Sequence, residues 1–258
     1  MHTANAITPY IDVSQLTLYA FWIFFAGLVL YLTLESKREG FPLITSKPGE
    51  RSDGILPLPK PKTFVLHDGT TKSFPWAEPL EVLNMRQTSN FEGATWEPLG
   101  NPMLDAVGPA SYAQRADVPE LTFEGDLRTV PMRIAEGYSV ASEDPDPRGF
   151  SVIAADREVA GLVFDIWVDR ACCQARWLEV ALPDEAVRHV LVPMELARVC
   201  AGARGGIVKV ASVTAAQFAS APKPASPESI TAREEDRISA YFASGHLYAM
   251  PSRMEPLI

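Results

Sequence analysis

No lysine or arginine occurs before Lys37, although the chain carries 23 of them in all. A secretory leader starts with a positive stretch, so the N-terminus does not read as a cleaved signal. The basic residues form no stripe or cluster, and the formal net charge is −9, which argues against nucleic acid as a partner. Cysteine is scarce. Cys172, Cys173 and Cys200 contain no Cys-x-x-Cys pair, and sequence neighbours rarely meet the geometry of a relaxed disulfide, so neither a disulfide framework nor a zinc site is expected. His2, His67, His189 and His246 are scattered without ligand spacing, and no metal site is expected. The chain also lacks a Gly-rich phosphate loop, a Gly-x-Ser-x-Gly elbow and a His-Glu-x-x-His pair, so no catalytic residues are assigned. Internal repeats and low-complexity tracts are missing too.

What is present begins with Leu16–Leu34, a run without a single charge. At about 1.5 Å rise per residue a helix of this length crosses most of a hydrocarbon core of about 30 Å. A helix satisfies its own backbone groups, which lipid cannot do. Tyr19, Trp22 and Tyr31 lie toward its two ends, where aromatic rings with a polar tip favour the interface. Lys37 and Arg38 follow directly, while the tail before the span carries Asp12 and no base. The excess of positive charge on one side predicts a cytoplasmic bulk and a translocated N-terminus.

Beyond the span, 47% hydrophobic residues can furnish a core, while 22 prolines favour extended segments and turns. Residues 36–62, with Pro42, Pro48, Gly49 and Gly54 and then alternating prolines from Leu56 to Lys62, read as a surface linker. Thr63–His67 and Thr70–Phe74 flank Asp68-Gly69 and predict a β-hairpin. From Pro75 to Pro131 no strong period emerges, and mostly loop is expected. Residues 150–212 then alternate. Leu162, Phe164, Ile166 and Val168 predict one apolar strand face, Leu178, Val180 and Leu182 another, and Val187–Val192 and Ile207–Ala211 further short strands. Closely spaced short strands predict a small antiparallel barrel. Thr231-Ala-Arg-Glu234 is a capping box opening a helix through about Ala243, with Gly245 as its stop and Ile230, Ile238, Tyr241 and Phe242 facing the barrel.

Several stretches resemble one family. They are Lys37-Arg38-Glu39-Gly40-Phe41-Pro42-Leu43, Leu58–Leu66, Gly100–Tyr112, Gly161–Asp169 with its Asp-Ile-Trp-Val-Asp ending, and Arg233–Tyr241. In this order they resemble the H subunit of purple-bacterial photosynthetic reaction centres, over essentially the whole chain. The resemblance implies a periplasmic tail over 1–11, a transmembrane helix over 12–35, a loop-rich linker region with a hairpin over 36–130, and a PRC-type barrel with a C-terminal helix over 131–258. It also implies a non-catalytic subunit of the bacterial inner (chromatophore) membrane. That subunit would stabilise the L and M subunits, shield the quinone sites and help deliver protons to the secondary quinone. The complex would hold bacteriochlorophyll, bacteriopheophytin, quinones, non-haem iron and a carotenoid, none bound principally by this chain. A cytochrome subunit, the core antenna and lipids such as cardiolipin are the further partners it implies. The alternative is a membrane-anchored PRC-barrel adaptor for another cytoplasmic partner.

The resemblance points to Asp169 and Arg176 beside the proton path, with Glu124, Asp126 and Arg128 in a segment where relatives carry surface histidines near the proton entrance. Carboxylates are ionised at neutral pH and pass protons poorly in that range, so a solvated acidic turn is the plainer reading of Glu124 and Asp126. An ion pair at a strand end is the plainer reading of Asp169 and Arg176. Cys172 departs from the family, which places a glutamate there. A free thiol titrates near ~8.5 and cannot replace that acid. Lys37 and Arg38 are expected at the lipid headgroups.

Overall fold

The structure is a computed structural model that describes residues 6–8, 11–45, 50–76, 83–91, 93–183, 188–202 and 205–254. Pro48 and Gly49 of the expected linker and Val187 of the expected third strand lie outside these. The chain forms two compact units, residues 1–82 with 89–95 and residues 83–88 with 96–258.

In the first unit, β1 (Ala6–Thr8) and β2 (Ile11–Asp12) pair antiparallel ahead of helix α1 (Val13–Ser36). Asp12 is the N-cap, its Oδ1 accepting the amide of Gln15 at 2.7 Å. Helix α1 is apolar on every face and buries none of its residues within this chain. Its length and hydropathy suit a membrane crossing. Short strands β3 (Leu43–Ile44) and β4 (Arg51–Ser52) pair antiparallel, as do β5 (Lys62–Val65) and β6 (Thr71–Phe74), the expected hairpin. The hairpin turn is a three-residue loop, not a two-residue one. The Leu66 carbonyl accepts the amide of Gly69 at 3.0 Å, and Gly69 takes φ +81°.

The second unit opens on the antiparallel pair β7 (Met85–Gln87) and β8 (Trp96–Pro98). Its main sheet takes β9 (Thr129–Pro131), β10 (Ser151–Ile153), β11 (Val159–Asp169), β12 (Gln174–Ala181), β13 (His189–Pro193), β14 (Ala197–Gly202) and β15 (Gly205–Val210). The order is β13-β12-β11-β10-β15-β14, with β9 also against β11. Every pair is antiparallel except β10 with β15. Strands β13 and β14 stand at opposite ends of this path, yet only the 3-10 turn Met194–Leu196 separates them in sequence. The sheet must therefore curl until its ends approach, which makes it a small barrel.

Valines and leucines from the strands fill the barrel, among them Val152, Leu178, Val190 and Val208. A short helix α2 (Ala215–Phe218) and the longer α3 (Ala232–Tyr248) add to this core. Thr231 caps α3 in the expected capping box with Glu234, and Ile230, Ile238, Tyr241 and Phe242 are all buried in the core.

Two expectations need correction. Gly245 does not end α3, which runs on to Tyr248. A Cβ there would stand 2.5 Å from the Ser212 carbonyl oxygen, so the glycine lets helix and backbone approach. Leu162 and Phe164 do not face the core. They are 51% and 50% exposed, while Val163, Asp165 and Trp167 are buried. A bulge between Val163 and Asp165 and another between Trp167 and Val168 break the strict alternation. Beyond the first bulge β11 is buried on both faces, with Ile166 and Trp167 in the main core and Val168 in a small cluster with Val130 and Ala135. The stretch 75–131, expected as mostly loop, holds only short strands among its described residues. It supplies β7, β8 and β9, and β9 spans the expected boundary at 130/131 by pairing Thr129 with Asp169.

Candidate functional site

Asp169 ends β11 and is 1% exposed. Strand β9 lies beside it, and the next residue back from Thr129 is Arg128, whose side chain reaches the carboxylate at 2.9 Å. The amides of Ala171 and Cys172 donate to Oδ1 at 2.9 and 3.2 Å. Burial pushes Asp169 up, but Arg128 and these two amides outweigh it and hold the carboxyl below its ordinary range. Arg128 also binds Glu120 at 2.7 Å. Glu120 in turn meets Arg115, and Arg115 reaches Asp236 on α3 at 3.1 Å.

Asp169 and Arg176 do not pair with each other. Arg176, on β12, instead stands 3.9 Å from Glu235 in the first turn of α3. Glu235 is buried, and Oε1 accepts the Thr129 hydroxyl at 3.2 Å. Burial pushes this carboxyl above its ordinary range, against the pull of Arg176 and the Thr129 hydroxyl. Asp169, Thr129, Arg128, Glu120, Arg115, Glu235 and Arg176 thus make one charged cluster at the end of the barrel where β9 meets β11.

The other expected residues fall around or away from it. Cys172 is exposed. Its backbone amide serves Asp169, and its thiol lies a loose 3.8 Å from Arg128. Glu124 and Asp126 sit in a tight, exposed turn closed by the Thr122 amide donating to the Asp126 carbonyl at 2.7 Å. The Asp126 side chain reaches Arg170 at 3.4 Å. In the first unit, Lys37 is 6% exposed. Its ammonium donates to the carbonyls of Asp53 and Leu56 and lies 5.0 Å from the centre of the Phe41 ring. Arg38 is held by both oxygens of Glu35 and by the Lys60 carbonyl.

A second buried cluster escaped the sequence reading. Arg133 Nη1 binds Asp165 at 3.1 Å and Glu179 at 2.7 Å. The Trp167 indole donates to Glu179 at 2.8 Å, and the His189 ring lies against its other oxygen. The amides of Arg133 and Ile166 donate to Asp165 at 3.1 and 2.8 Å. Alternation had placed Asp165 outward, and only a charge inside an otherwise apolar strand hinted otherwise. Glu235 was missed because it follows the capping Glu234 and reads as a second helix-opening acid.

The family model described as photosynthetic reaction centre, H-chain N-terminal region, matches residues 5–134, which takes in α1, the first unit and β7 to β9.

Proposed function

The chain belongs to the photosynthetic reaction centre H-chain family, and from that premise we propose that its barrel carries protons toward the secondary quinone while shielding the quinone sites. Membership implies association with the L and M subunits, in a complex that holds pigments and quinones, and it makes this chain a structural subunit of the membrane. No redox cofactor is assigned to it. Quinone reduction to quinol consumes two electrons and two protons, so a site closed to bulk water needs a chain of polar groups to supply the protons.

The observation that carries the reading is the cluster around Asp169. A carboxylate 1% exposed is kept ionised there by Arg128, and the charges run on through Glu120 and Arg115 to half-exposed groups. Asp169 supplies a fixed negative charge that orients Arg128, and Arg176 sets the charge balance opposite Glu235. Glu124 and Asp126 stand in an exposed turn, three and one residues before Leu127, and offer the solvent end of the path. The Cys172 thiol, exposed and loosely placed, contributes little.

The test is flash-induced transfer of the second electron in intact reaction centres, followed across pH. Asp169→Asn slows it and Cys172→Ser leaves it near the wild-type rate. A large slowing in Cys172→Ser beside a normal Asp169→Asn would reverse these roles.

The proposed topology puts the N-terminus in the periplasm and the barrel in the cytoplasm, supported by the absence of any basic residue before Lys37. Protease added to the cytoplasmic face digests the chain after Arg38 and spares the tail. Protection of the barrel in inside-out vesicles, whose cytoplasmic face is outward, would refute this orientation.

A further inference from the structure

Glu235 sits where its charge should be welcome, in the first turn of α3 at the positive end of the helix dipole. Its side chain nevertheless turns inward, and the residue is 8% exposed. The Thr129 hydroxyl of β9 donates to one oxygen, while Arg176 of β12 stays 3.9 Å from the other, beyond hydrogen-bonding reach. Glu120, in the segment before β9, repels the carboxylate, and Arg115 of the same segment attracts it. Burial outweighs the attractions, and the group is held above the usual glutamate range.

Asp169 is the opposite case. Two backbone amides and a guanidinium donate to it, and a carboxylate so held gives up its charge only in acid. It can shape the field of a proton path, but it is poorly suited to take up a proton near neutrality. Glu235 has fewer donors to lose on protonation, and it touches a hydroxyl able to reorient and pass a proton.

We propose that Glu235 is the member of this cluster that takes up and releases a proton, with the Thr129 hydroxyl as its hydrogen-bonded neighbour. The inference rests on the proton-delivery reading above and names the acid that serves it. The step moves one proton. The carboxylate gains it from the Glu120 and Arg115 side, where solvent reaches, and returns to carboxylate on release. The electrons for the quinone come from the cofactors of the L and M subunits.

Intact reaction centres carrying Glu235→Gln, Glu235→Asp or Asp169→Asn test it, by second-electron transfer across pH and by light-induced infrared difference spectra in the carboxylic C=O region. Glu235→Gln is expected to slow the transfer by about a hundredfold, the low end for a positioned acid–base group, and to abolish one C=O band. Glu235→Asp restores most of the rate and shifts that band. If Glu235→Gln keeps the wild-type rate and spectrum while Asp169→Asn is slow, Glu235 is structural and the proposal falls, although proton delivery stands. If neither variant is slow, proton delivery itself fails and takes the proposal with it. Should Glu235→Gln not assemble, the Asp variant decides: an unshifted C=O spectrum overturns the proposal.

Discussion

Around Arg133, both buried carboxylates are saturated with donors, whereas of the two buried beside β9 one is saturated and the other is not. Asp165 takes two amides and a guanidinium, and Glu179 takes a guanidinium, an indole and an imidazole contact. Asp169 is similarly satisfied. Glu235 has a hydroxyl and a distant guanidinium. A buried acid surrounded by donors fixes structure. One with few donors is left with a charge that costs free energy to keep, and it becomes able to titrate. The same fold therefore holds a brace on strands β11 and β12 and a responsive group at the start of helix α3.

The largest effect should come from breaking the brace. Arg133→Met leaves Asp165 and Glu179 buried without their shared guanidinium, and a loss of about 3–5 kcal/mol is expected from thermal or denaturant unfolding. A loss under about 1 kcal/mol would show that the cluster is not structural.

Asp169→Asn comes next, with an expected loss of about 1–3 kcal/mol, because Arg128 and two amides lose a charged acceptor. Its pH dependence has a definite sign. The folded carboxyl lies below its ordinary value, so its contribution is full above the unfolded pKa of about 3.9 and fades as pH falls through the lower, folded one. The gap between wild type and variant should thus narrow in acid. A gap that widened would mean Asp169 is not held ionised.

Glu235→Gln sharpens the contrast with a smaller effect of opposite slope. The folded carboxyl lies above its ordinary value, so wild type gains stability relative to the variant as pH falls through the folded pKa toward about 4.3. At pH 8 the variant should match or slightly exceed wild type in unfolding temperature. A clear destabilisation at that pH would class Glu235 with the brace. Smallest of all, Cys172→Ser should shift stability by under about 0.5 kcal/mol, since the exposed thiol is marginally placed.

Much of the fold could be read from residue pattern because it rests on local periodicity. The apolar span, the Asp68-Gly69 hairpin, the capping box at Thr231 and the Leu178, Val180, Leu182 face all follow from a few neighbouring residues. The failures are tertiary. Leu162 and Phe164 look inward until the bulge at Val163/Asp165 turns them out, and Gly245 looks like a stop until the Ser212 backbone is seen against it. The site divides likewise. Asp169, Arg128 and Arg176 came from a resemblance, but Asp169 and Arg128 meet because strand β9, a three-residue element with no period to detect, pairs with β11. Nothing in the order of residues foretold that Arg176 would face Glu235 instead of Asp169.

Lys37 carries a consequence for the order of events in assembly. If basic residues after the span orient it during insertion, Lys37 performs that task only while the following segment is unfolded. Once residues 53–56 come back over the helix end, their carbonyls enclose the ammonium. On the proposed topology the same charge is first an address and then a rivet. Folding of this segment should therefore act as a latch, trailing membrane insertion and making the chosen orientation hard to reverse. A chain with Lys37→Met and an added exposed lysine nearby would insert correctly and yet never lock.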